Sequence, residues 1–248
     1  MYLGLFCAIL GVTVLTSGCV PANGSQSALP SLLPMDTSDG GMASWLQIIT
    51  FLTALTMIPA VLMMASSFTR IIIVLSFIRN AIGIPQTPPN QVLLGLALFL
   101  SIFVMAPIWQ SIDSSALQPY MSQQITQDEA LERGVGPMRE FMLKQTREKD
   151  LSLFVHLAQL DRPRNAKDIP THVLIPAFVI SELKTAFQMG FLVLVPFLII
   201  DMVVSSTLMS MGMMMLPPAV ISLPFKILLF VLVDGWHMII RSLMVSFS

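Results

Sequence analysis

Long apolar runs, broken by proline and interrupted by single charges, dominate the sequence, and polar residues gather in one central segment. Four stretches, 45–68, 91–112, 171–203 and 213–247, are apolar over about 20 residues or more and predict membrane-type helices. None is clean. Pro59 sits inside the first and Pro107 inside the second. The third carries Glu182 and Lys184, then Pro196 and Asp201; the fourth carries Pro224, Lys226 and Asp234, then His237 and Arg241. A charge at mid-bilayer costs ~3 kcal/mol on insertion scales, so Glu182, Asp201 and Lys226 are expected to face protein or water. Packing against neighbouring subunits is the favoured reading, over a self-contained four-helix bundle with snorkelling Lys and Arg near its ends.

Between the first two stretches, 70–90 must turn the chain. Gly83, followed by Pro85, Pro88 and Pro89, stops one helix and pre-sets the start of the next. Arg70 and Arg79 put this link on the cytoplasmic side by the positive-inside rule, and the charged segment 113–170 on the periplasmic side. Within that segment Leu131, Met138, Phe141, Met142, Leu151, Phe154, Val155 and Leu157 recur at helical spacing over 128–160. Mixed charge fills the other face and reads as solvated, which leaves Phe141 and Phe154 as candidate anchors.

A shorter apolar run, 3–15, ends in Thr16-Ser17-Gly18-Cys19 and has the length of a signal-peptide core rather than of a spanning helix. The expectation is a cleaved signal over 1–20 followed by a polar segment, 21–44. A retained anchor and a lipidated Cys19 are the other readings.

Composition narrows the class. Of 248 residues 55% are hydrophobic and 11% charged, against about 25% charged in soluble domains. Eight basic and nine acidic residues fall within 113–168, so the apolar flanks are poorer still in charge. A net charge of −1 gives no electrostatic reason to expect a nucleic-acid partner. Cys7 and Cys19 both lie near the start, and His156, His172 and His237 are far apart, so no metal site and no cofactor are implied. Asp201 and Asp234 are the one pair an intramembrane aspartyl protease would use, but the protease motifs are missing and no catalytic residue is expected. A small-solute transporter would show inverted repeats, and none is visible.

The string Phe68-Thr69-Arg70-Ile71-Ile72-Ile73-Val74-Leu75-Ser76-Phe77-Ile78-Arg79-Asn80-Ala81, continued by Gln86-Thr87-Pro88-Pro89-Asn90-Gln91-Val92-Leu93, resembles the FliP family of secretion export-gate subunits. Pro176-Ala177-Phe178-Val179-Ile180-Ser181-Glu182-Leu183-Lys184 and Asp201-Met202-Val203-Val204-Ser205-Ser206 agree with it, as do the Met-rich 209–218, Leu223-Pro224-Phe225-Lys226 and Asp234-Gly235-Trp236. The likeness covers roughly 45–247. It implies an all-α, membrane-associated protein of kinked helical hairpins: the first over 45–112, a helical periplasmic segment over 113–170, and a second hairpin over 171–248. It further implies assembly into a ring, a pentamer of identical copies, joined by FliQ-like and FliR-like subunits. FlhA-like and FlhB-like components would deliver unfolded export substrates to it. The complex would sit in the bacterial inner membrane at the flagellar basal body, largely on the periplasmic side. A FliP-like subunit of a virulence (injectisome) system is the alternative.

Gly212 permits a tight turn between the last two apolar stretches, and Pro217-Pro218 starts the next element. Met209, Met211, Met213, Met214 and Met215 crowd that turn, and the flexible thioether chain packs in many ways. By the resemblance they form a deformable pore gate; as residues alone they also read as core filling. Glu182 and Lys184, two apart, cannot pair on one helical face and are expected to meet partners on neighbouring subunits; the resemblance makes Glu182, with Phe141 and Phe154, a subunit-interface residue. Asp201, Lys226 and Asp234 read either as intersubunit ion pairs or locks on the gate, or as pairs within one hairpin.

Overall fold

The computed structural model describes residues 41–84, 87–160, 165, 168–213 and 217–247, with the side chains of 41–44 and Ile58 excepted. The signal at 1–20, nearly all of the polar segment 21–44, and Met214 and Met215 lie outside the described residues. Among the described residues every regular element is helical: α1 Gly41–Met64, α2 Phe68–Ile82, α3 Asn90–Ile112, α4 Gln118–Met121, α5 Gln127–Gln145, α6 Glu148–Leu157, α7 Thr171–Ser210, α8 Pro218–Leu232 and α9 Gly235–Val245. A π-helical turn, Asp113–Leu117, joins α3 to α4.

The main departure from the sequence reading is α2. The link 70–90 is not all link: its first part is a helix that forms the centre of the core. Ile71, Val74, Leu75, Ile78, Ala81 and Ile82 follow helical spacing, and all are buried. The helix ends where expected, on Gly83 at φ 87°, whose N–H bonds Asn80 O at 3.2 Å. A residue with a Cβ is disfavoured there, so glycine is the natural C-cap.

Against α2 lie α3 and α7. The buried stripe of α3, Leu93, Ala97, Ser101 and Met105, repeats every fourth residue. Its small members let the backbones approach, and Ser101 shares a 3.0 Å hydrogen bond with buried Ser67 just ahead of α2. From α7 come Val173, Leu174, Ala177, Phe178, Ala186 and Gly190. The amphipathic 128–160 forms two helices rather than one. Thr126 caps α5, its Oγ1 accepting from Glu129 N. Thr146 and Arg147 are extended, and the Arg147 N–H leaves the helical ladder to bond Ser181 Oγ at 3.0 Å.

The four apolar stretches reappear as α1, α3, α7 and the pair α8–α9, which bends by 61° at Val233 and Asp234. Asp234 takes a left-handed conformation (φ 49°, ψ 55°), which aspartate tolerates better than most residues. At the following Gly235 a Cβ would lie 2.3 Å from the Phe230 ring, so any larger residue must displace that ring.

Candidate functional site

Three constellations stand out, and the first is the Met turn. Helix α7 closes with a Schellman motif: Gly212 N bonds Met209 O and Met213 N bonds Leu208 O, both at 3.0 Å, with Gly212 at φ 75°. Two orphan carbonyls are satisfied, and the turn presents its side chains outward. Met209 is 61% exposed, Met211 72% and Met213 39%. These three are not core filling within the chain.

The second is a polar clasp between α7 and α8. Asp201 Oδ2 accepts from Lys226 Nζ at 2.5 Å, and Asp201 Oδ1 accepts from Ser222 Oγ at 2.6 Å. Ser222 and Lys226 are one helical turn apart, so both reach one carboxylate. Of the two readings of Asp201 and Lys226, the structure gives pairing within one hairpin. Lys226 is buried, but Asp201 keeps a third of its side-chain surface. Lys226→Ala is therefore expected to cost about 1–3 kcal/mol, between exposed and fully buried pairs, because Asp201 retains Ser222 and water. Thermal melting of the purified full chain checks this, and melting unchanged from wild type would refute it.

The third is a buried hub on Arg70. Its side chain uses all five guanidinium protons. Nε donates to Glu182 Oε2 at 2.8 Å, and Nη2 donates to Glu182 Oε1 and to Gln145 Oε1, the latter at 3.0 Å. Nη1 donates to Ser246 O at 2.9 Å and to Ser246 Oγ at 3.0 Å. Gln145 Nε2 bonds Phe247 O at 3.2 Å, and the Phe247 ring lies 4.0 Å from the guanidinium carbon. Arg70 is 2% exposed and Glu182 fully buried. The fork geometry of arginine makes this bidentate pair possible, where lysine would supply a point charge only.

The hub corrects two expectations. Arg70 is buried and paired with Glu182, not a free charge marking a cytoplasmic turn. Glu182 finds its charge partner in its own chain rather than on a neighbour. Lys184 is exposed, consistent with two residues that cannot share a face. Phe141 is buried, with its ring centroid 5.9 Å from Phe178 and 6.4 Å from Phe247, and so is spent on the core. Phe154 is half-buried against the same core. Gln145, Ser222, Ser246 and Phe247 escaped the sequence reading. The available signal was an Arg inside one apolar string and a Glu inside another.

A model of the FliP family matches residues 51–243, which takes in all three constellations save Ser246 and Phe247. The flagellar biosynthetic protein FliP of Pectobacterium carotovorum is 56% identical over 222 residues, 88% of this chain and 86% of that protein. That of Bacillus subtilis is 56% identical over 206 residues (83% and 93%), and that of Aquifex aeolicus 44% over 241 (96% and 98%). Strings that carry a buried ion pair, a clasp and a Met turn thus lie inside one continuous likeness, and the chain belongs to the FliP family.

Proposed function

We infer that the chain is a channel-forming subunit of a flagellar protein export gate. The observation that carries this reading is a chain, helical in every regular element among the described residues, that closes a buried ion pair and a polar clasp within itself while its apolar helices stay bare. The chain itself buries 6% of the most apolar stretch of Thr171–Ser210 and 22% of that of Asn90–Met121. At ~1.5 Å per residue, the 40 residues of α7 reach about 60 Å, twice the ~30 Å of bilayer hydrocarbon. Lipid alone does not cover such a helix. Copies of the same chain, with FliQ-like and FliR-like subunits, would supply the rest of the cover in a ring, and FlhA-like and FlhB-like components would feed it. The site is the bacterial inner membrane, with the long helices rising on the periplasmic side. The flagellar reading is preferred to the virulence one because the relatives above are flagellar proteins.

In the ring the exposed methionines of the α7–α8 turn would meet at the axis and seal the closed pore, yielding to unfolded chains of any sequence. The chain contributes a wall and a seal rather than a reaction. Replacing Met211, Met213, Met214 and Met215 together with Ala is expected to leave assembly with FliQ- and FliR-like subunits intact and to make the membrane conduct small ions. Conductance of cells holding the assembled variant checks this, and an assembled variant as tight as wild type would remove the seal from the proposal.

A further inference from the structure

Helix α9 is poorly fixed by apolar contact alone. Ile239 and Leu243 hold it to the core, but Ile239, with Gly235, Met238 and Ser242, also lines an apolar cleft of about 440 Å³ shared with α2, α7 and α8. Apolar contacts are non-directional, so they fix the register of the helix less sharply than hydrogen bonds do. Among the described residues, side-chain hydrogen bonds from other helices reach it just after its last turn. Three hydrogen bonds end on Ser246 and Phe247: two from Arg70 Nη1 and one from Gln145 Nε2. The Phe247 ring, 9% exposed, covers the guanidinium at 4.0 Å and stacks on Phe141.

We propose that Ser246 and Phe247 form a strap that locks α9 onto α2 and α5 by completing the coordination of Arg70. With the strap seated, α9 is a fixed post. The elbow at Asp234 and Gly235 is then the joint between that post and α8, the helix that leads back to the Met turn. With the strap lifted, Arg70 Nη1 and Gln145 Nε2 lose the partners shown here, and the hub opens to water on the α9 side. Arg70 is thus a positioning residue for α9 as well as the partner of Glu182. The strap is a property of the single chain, so its failure would leave the export reading untouched.

Hydrogen–deuterium exchange on the purified full chain tests this. Phe247→Ala is expected to speed exchange of the α9 amides by about tenfold or more, as a local opening does, while α3 and α5 keep wild-type protection. Phe247→Tyr, which retains the ring, should behave as wild type. Arg70→Lys keeps the charge but loses the fork, and should reproduce the α9 effect. In the double variant Arg70→Lys with Phe247→Ala, α9 should exchange no faster than in either single one. Should Arg70→Lys fail to accumulate, Gln145→Ala takes its place in the same comparison. Unchanged α9 exchange in Phe247→Ala, a rise spread evenly over all helices, or additive effects in the double variant would each overturn the strap.

Discussion

Arg70→Ala is expected to remove the folded chain from the membrane, while the double change Arg70→Met with Glu182→Met restores much of it. The single change strands Glu182, fully buried, without its cation, and leaves Gln145 and Ser246 acceptors unmet. Breaking a buried pair from one side costs ~3–5 kcal/mol, a large part of the ~5–15 kcal/mol that holds a domain together. The double change removes both desolvated charges and fills the space with apolar volume, which in other buried pairs is neutral or favourable. Glu182→Lys should be worse than either, since it sets two cations against each other at the core. Cells carrying it are expected to be non-motile because the chain fails to fold before any assembly step. Quantifying full-length chain in washed membranes, with and without limited proteolysis, separates the outcomes. If Arg70→Ala accumulates in normal amount and resists protease as wild type does, the hub is a replaceable contact and its place at the centre of the fold is wrong.

The hub also shows where the sequence stops being readable. The four apolar stretches were legible because length and composition alone set them. The turn at Gly83 and the Met turn at Gly212 were legible because glycine at positive φ leaves a local mark. Helix α2 was obscured by its own arginines. In a string as apolar as 68–82, an Arg reads equally as a flanking anchor and as half of a buried pair. What decides between them for Arg70 is Glu182, 112 positions away. The same limit hid the fate of Phe141, whose helical spacing marked it as an anchor without saying that Phe178 and Phe247 of its own chain were what it anchored to. The break at Thr146 and Arg147 depends on Ser181 capturing a backbone N–H, and nothing local announces it. Long-range polar pairing, not hydrophobic pattern, is the part that only the folded chain reveals.

Close packing of α2 on α7 rests on one missing side chain, and restoring it should be severe. A Cβ built on Gly190 lies 2.6 Å from two ring atoms of Phe77 and 3.0 Å from the Phe77 Cβ. Contacts that short do not occur between real atoms, so Gly190→Ala must displace the Phe77 ring or push α7 off α2. The atoms in the way include Cβ and Cγ at the root of the Phe77 side chain, which a turn of the ring about its own axis does not move. Overpacking of this kind costs ~1–3 kcal/mol, and Gly190→Val, with two more carbons against the same ring, should cost more. Helical propensity pulls the other way, because Ala is favoured over Gly inside a helix by ~1 kcal/mol. The sign of the result therefore decides which effect wins. The expectation is a lower melting temperature for Gly190→Ala and a chain that fails to accumulate for Gly190→Val. Phe77→Leu removes the clashing ring atoms while keeping most of the apolar volume. In that background Gly190→Ala should turn from destabilising to neutral or stabilising, as propensity alone would have it. Equal losses from Gly190→Ala in the wild-type chain and in the Phe77→Leu background would mean that the ring is not what the glycine accommodates.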